Sequence, residues 1–129
     1  MGISFSLDVH ARIVRLDYAR AVSIDQFRVT MDAVFRDPAY RPGLGFLVDR
    51  RNAEPPTAEY IEGAITFALE NQEQLRDARW AVVTAGDGTL QMAGKGEKLA
   101  RQALVPQCVA LFDDIENAER WLRLTAESP

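Results

Sequence analysis

The first apolar positions of the chain alternate with polar ones: Ile3, Phe5, Leu7 and Val9 are interleaved with Ser4, Ser6 and Asp8. A period of two sends successive side chains to opposite faces, so the chain is predicted to begin as a half-buried β-strand. A second β-rich run, carrying Ile13, Leu16 and Tyr18, follows after only His10-Ala11-Arg12. So short a connection cannot make the crossover that parallel pairing needs, and the two strands are expected to form a hairpin. The period then changes to that of a helix. Ser23, with Gln26 three residues on, matches a capping box, and Ile24, Phe27, Met31, Val34 and Phe35 recur as one apolar stripe. In DPAYRPG, Pro38 and Pro42 cannot continue that helix and end it.

Phe46-Leu47-Val48 is apolar on both faces, the pattern of a strand inside a covered sheet. Thr57 is placed to cap the next helix, expected to be the longest, with Glu59 in the first turn where the helix dipole favours negative charge. Its buried stripe is read as Ile61, Ala64, Ile65, Ala68, Leu69 and Leu75. RWAVVTA reads as a second central strand, broken by GDG, and a small-residue helix is expected from about Thr89 to Leu104. CVALF reads as the last strand, and Ile115, Ala118, Trp121 and Leu122 line a short closing helix. The order β-β-α-β-α-β-α-β-α predicts one α/β domain over residues 1–129. Its mixed sheet has about five strands, an N-terminal hairpin and then parallel βα units, with about four helices. Phe46, Leu47, Val48, Val82, Val83, Leu111 and Phe112 are the predicted core.

Charge narrows the functional classes. The formal net charge is −4, the sequence pI is near 5.0, and the only adjacent basic pair is Arg50-Arg51. Nucleic acid is therefore a poor partner, because neutralising phosphates requires a concentrated basic face. No apolar run approaches the ~20 residues of a membrane span. No basic segment followed by an apolar one suggests secretion. One cysteine, Cys108, cannot make an internal disulfide, and a cytoplasmic protein is the expectation. MGISFS satisfies a myristoylation pattern through Gly2 and Ser6, but the strand alternation begins there at once, and the strand reading is preferred.

Three segments, DPAYRPGLGFLVDRR, RWAVVTAGDG and LFDDIENAERWL, come in that order along nearly the whole chain. With them the sequence resembles the SpoIIAA-like family, related to STAS domains and bacterial anti-sigma-factor antagonists. The resemblance implies the mixed-sheet fold and a non-enzymatic, protein-binding or regulatory role. In the antagonist branch a phosphorylatable Ser follows the third strand at a helix N-terminus. Here Asp49 stands at the strand end but Arg50 follows it, and no hydroxyl occurs before Thr57. Thr57 already has a capping role, so a phosphorylation switch is not expected at this point.

Ligands of open α/β sheets sit beyond the carboxyl ends of parallel strands. Asp49, Arg50 and Arg51 end one such strand, and Asp87 and Gly88 follow another. If those strands are neighbours, these five residues would line a small crevice suited to an anionic ligand group. The structural alternative, which is preferred, has Asp49 accepting hydrogen bonds from amides of the following loop, with both arginines solvated. AGDG and AGKGEK fail as nucleotide loops: Gln91 stands where a third glycine is required, and Gly96 stands where a Ser or Thr would meet magnesium. His10 is the only histidine and lies in the hairpin connection, and Cys108 opens an apolar strand. Neither a catalytic triad nor a zinc site has the spacing it needs. No cofactor or metal is expected.

The reading is thus a non-enzymatic module that binds an unknown protein partner or small ligand, with a homodimer allowed. The alternative is a small-molecule or lipid carrier, with a pocket between sheet and helices and an adaptable wall at Met92, Gly94 and Gly96. An enzyme using Asp49 and Asp87 as an acid/base pair is the third.

Overall fold

A computed structural model describes residues 2–85 and 108–126. The predicted helix at about 89–104, together with Asp87 and Gly88, lies outside the described residues. The elements are β1 (Ile3–Asp8), β2 (Ile13–Arg20), α1 (Ile24–Arg36), β3 (Gly45–Ala53), α2 (Ala58–Glu70), β4 (Arg79–Val83), β5 (Cys108–Phe112) and α3 (Ile115–Ala126). The five strands form one sheet in sequential order. β1 and β2 pair antiparallel, and every later neighbour is parallel. The mixed sheet matches the expectation, and three helices are described where about four were expected.

Local chemistry accounts for the boundaries. In the hairpin, Asp8 Oδ1 accepts from the amide of Ala11 at 3.0 Å, and Arg12 takes the left-handed conformation at φ 58°. That four-residue turn leaves Val9 outside the strand and 66% exposed, so the fourth member of the alternating set does not reach the core. The capping box forms as the sequence predicts. Gln26 N donates to Ser23 Oγ at 3.1 Å, and the Gln26 side chain accepts from Ser23 N at 2.9 Å. Thr57 Oγ1 likewise accepts from Tyr60 N at 3.0 Å. α2 ends at Glu70 with Asn71 as its C-cap, and at 13 residues it equals α1. Leu75 is buried all the same, from the turn segment beyond the helix, while Leu69 is exposed.

Two apolar clusters divide the molecule along the sheet. On one face Val14, Leu16 and Tyr18 of β2 and Phe46 and Val48 of β3 pack against Phe27, Met31 and Val34 of α1 and Tyr60, Ile61, Phe67 and Ala68 of α2. Aromatic rings fill this layer. Phe46 stacks on Trp80 with centroids 4.1 Å apart, and Phe27 meets Tyr60 and Phe67 edge-on at 5.8 and 5.4 Å. Each such pair adds about 0.5–1.5 kcal/mol beyond the area it removes from water. On the opposite face Ile13, Leu47, Ala81 and Val83 meet Ala118 and Leu122 of α3. Arg79 ties this side together, donating from Nη1 to the Leu122 carbonyl at 2.6 Å and from Nη2 to the Gly43 carbonyl at 3.0 Å.

Of the predicted core, Phe46, Leu47, Val48 and Val83 are buried, whereas Val82, Leu111 and Phe112 are half-buried. β5 is the last strand of the order, so it lacks a described neighbour on its outer side. Trp121 is half-buried against the α3-side cluster, its ring 5.7 Å from that of Phe112, and among the described side chains of α3 Ala118 and Leu122 are the fully buried ones. Among the described residues no helix is long and apolar enough to cross a membrane.

Candidate functional site

The candidate residues lie where β3 outruns its neighbour. The β3–β4 register ends at the pair Asp49–Val83, while β3 continues to Ala53 alongside β2. Along that extension the register slips: Asp17 is opposite Asp49, but Ala19 is opposite Asn52. Two steps on β2 thus face three on β3, which makes a bulge at Arg50-Arg51. Bulges are uncommon in parallel pairs and re-aim the side chains around them.

Asp49 organises this bulge. Its Oδ1 accepts from the backbone N–H of Arg51 at 3.0 Å and from Arg51 Nε at 3.0 Å, while Oδ2 accepts from Arg51 Nη2 at 2.9 Å. Carboxylate and guanidinium therefore meet fork to fork. The Arg51 side chain, and then burial in the opposite sense, set the Asp49 carboxyl below its ordinary value. The expected carboxylate-to-amide bond is present, but its donor is still inside β3, because the strand runs four residues past Asp49. A carboxylate held ionised by its own neighbour is poorly suited to act as a general acid.

Arg50 departs from the expectation of a solvated side chain. It is only 5% exposed. Alternation sends it to the face of Phe46 and Val48, and there its guanidinium carbon lies 4.8 Å from the Tyr18 ring centre and 5.3 Å from that of Tyr60. Arg51 and Asp49 project to the other face, where β2 presents Arg15, which is paired with Glu119 of α3 at 2.8 Å. The strand therefore separates the two arginines, and Arg50 cannot share a crevice with the Asp49–Arg51 pair. The position of Asp87 and Gly88 relative to either lies outside the described residues.

Arg50 Nη2 donates to the Glu54 carbonyl at 3.0 Å, and Nε is buried with no hydrogen-bond partner among the described residues. No described carboxylate forms an ion pair with it. The two flanking tyrosines bond to each other through their hydroxyls at 2.6 Å. Burial, with Tyr60 adding to it, pushes the Tyr18 phenol well above its ordinary value. Tyr60 is also raised by burial, against the opposing pulls of the Tyr18 hydroxyl and the Arg50 guanidinium. Both rings thus stay neutral at physiological pH, and neither supplies the negative charge that the arginine lacks.

Sequence reasoning marked Arg50 but missed Tyr18 and Tyr60 as its partners. Tyr18 carried a usable signal, since it shares strand parity with Leu16 and so points inward. Tyr60, on the fourth residue of the cap-and-first-turn segment begun by Thr57, could be matched to Arg50 only once α2 was laid on the sheet.

No family model matches the chain, and no curated protein matches it. Among solved structures it is similar to an uncharacterized protein of the DUF3478 family with a SpoIIAA-like fold from Shewanella loihica PV-4. The TM-score is 0.63 and the identity 14%, with 94% of each chain covered. A likeness at that identity is one of fold, and the fold of this chain is SpoIIAA-like.

Proposed function

We propose that the chain is a non-enzymatic SpoIIAA-like module that works by binding, in a regulatory or protein-binding role, through the edge of the sheet where β2 and β3 end and α2 begins. The observation that supports this is the unequal use of charge at that edge. Asp49, the described carboxylate of the proposed acid/base pair, is held ionised by Arg51, while Arg50 keeps a buried cation without an acid. The edge is equipped to recognise charge rather than to move protons. The carrier reading draws less support, because aromatic side chains occupy the layer between the sheet and α1 and α2.

A photo-crosslinking residue in place of Asn52, which is exposed at this edge, tests the proposal in cells. His10, exposed at the opposite end of the sheet, is the control position. One defined adduct that forms from position 52, not from position 10, and is competed by unlabelled protein is the expected result. Identical adduct patterns from both positions, or none from position 52, would show that this edge is not the binding end.

A further inference from the structure

An arginine that is buried has lost the hydration of its charge, and that loss is normally offset by a carboxylate or by filling all of its donors. At Arg50 neither has happened. One donor of the guanidinium fork, Nη2, is taken by the neutral Glu54 carbonyl, and the adjacent Nε–H has no acceptor. The two rings at 4.8 and 5.3 Å stabilise the cation in part, and the guanidinium pulls on the Tyr60 hydroxyl, but neither ring takes the Nε–H.

The tyrosine pair has a matching deficit. Two neutral phenols bring two hydroxyl protons, and a single Tyr18–Tyr60 bond uses one of them. The other proton has no further acceptor among the described residues. The cluster therefore holds one positive charge and two spare donors, and lacks an anion with two acceptor atoms. Burial keeps both phenols protonated, so the cluster cannot neutralise itself by forming a phenolate.

We infer that Arg50, Tyr18 and Tyr60 form a receptor for one small oxyanion, a carboxylate or a phosphate, with one oxygen on Arg50 Nε–H and a second on the spare tyrosine hydroxyl. The way in is past the link of residues 54–57, which is held at its ends by the Glu54 amide on the Arg20 carbonyl and by the Thr57 cap, and which crosses the guanidinium at the Glu54 carbonyl. The inference rests on reading this edge as the binding end, but its test needs no partner protein, so the two can fail separately.

The test follows the arginine Nε–H resonances of protein labelled with nitrogen-15 while formate, acetate or inorganic phosphate is added at constant ionic strength. The spectrum of Arg50→Lys assigns the Arg50 signal, and Arg51 Nε–H, already engaged by Asp49, is the internal control. A saturable shift at Arg50 with Arg51 unmoved is expected, and the anion that produces it at the lowest concentration distinguishes carboxylate from phosphate. Tyr18→Phe/Tyr60→Phe, which removes both hydroxyls, should weaken that binding about tenfold, the loss of one hydrogen bond to a charged group, whereas Tyr60→Phe alone still leaves one hydroxyl proton for the anion. If Arg50→Lys does not fold, the Arg50 Nε–H is assigned by through-bond correlation to its own backbone amide, and the native titration still decides. The inference is overturned if none of the three anions moves the Arg50 signal, if Arg50 and Arg51 drift together without saturating, or if Tyr18→Phe/Tyr60→Phe binds as tightly as the native chain.

Discussion

Gly63 tests whether the placement of α2, and with it of Tyr60, depends on one close approach between helices. A methyl group at this position would stand 2.4 Å from Ile24 Cγ1, 2.8 Å from Cδ1 and 3.2 Å from Cβ. Carbon atoms rest comfortably at about 3.5–4.0 Å, so the nearest contact would be short by more than an ångström. Either Ile24 leaves its rotamer or α2 backs away from α1. Overpacking of this kind costs about 1–3 kcal/mol. Alanine in a helix interior returns about 0.5–1 kcal/mol relative to glycine. Gly63→Ala should therefore lose about 1–2 kcal/mol net, seen in urea denaturation as a lower midpoint at unchanged slope. The near-UV circular dichroism of the tyrosines should weaken as well, because Tyr60 lies one turn earlier on the same helix. In an Ile24→Ala background the two nearest offending atoms are gone, and the same change should become neutral or slightly stabilising. A double-mutant cycle then gives a coupling of about 1–3 kcal/mol. Gly63→Ala at or above the native midpoint would refute the argument, since helix propensity would have acted unopposed.

Tyr60→Phe leaves the Tyr18 hydroxyl buried without its partner and should cost about 1–3 kcal/mol, while adding Tyr18→Phe should cost less than the sum of the single changes. Strict additivity in urea denaturation would show the hydroxyl bond to be energetically empty. The Asp49 carboxyl is held below its ordinary value by Arg51, so the fold favours its ionised form. The stability it contributes is present above the unfolded value of about 3.9 and is lost as pH falls through the lower folded one. The gap between native protein and Asp49→Asn should accordingly narrow in acid, and a gap of constant size from neutral pH down to about pH 2 would contradict this. Tyr40 is pushed from 10.0 up to about 12 by burial. Its contribution is present below the unfolded value and lost as pH rises through the folded one, so thermal melts on the alkaline side should fall more steeply for the native chain than for Tyr40→Phe. In α3, Leu122→Ala should cost about 2–5 kcal/mol and the half-buried Trp121→Ala less, and the reverse ranking of unfolding midpoints would show that the tryptophan anchors the helix.

What the sequence determined by itself is the set of local decisions. The alternation at Ile3–Leu7, the capping box at Ser23 and Gln26, the cap at Thr57 and the apolar run at Phe46–Val48 each depend on residues within a turn or a strand. The element order followed from them. Even the Asp49-to-amide bond is local, spanning two residues, and it was legible for that reason. Tertiary structure decided everything that depends on two distant segments meeting. The bulge opposite Asp17 and Ala19 arises from pairing β3 with β2, and nothing in the composition of β3 announces it. Arg50 and Arg51 are chemically identical neighbours, yet one is sandwiched between Tyr18 and Tyr60 and the other lies at the surface with Asp49. Alternation predicts that they part, but only the packing of α1 and α2 on one face and α3 on the other decides which face is sealed. The same layering makes Leu122 rather than Trp121 the buried anchor of α3. Chain connectivity carries the periods, while charge burial depends on which surfaces the finished sheet covers.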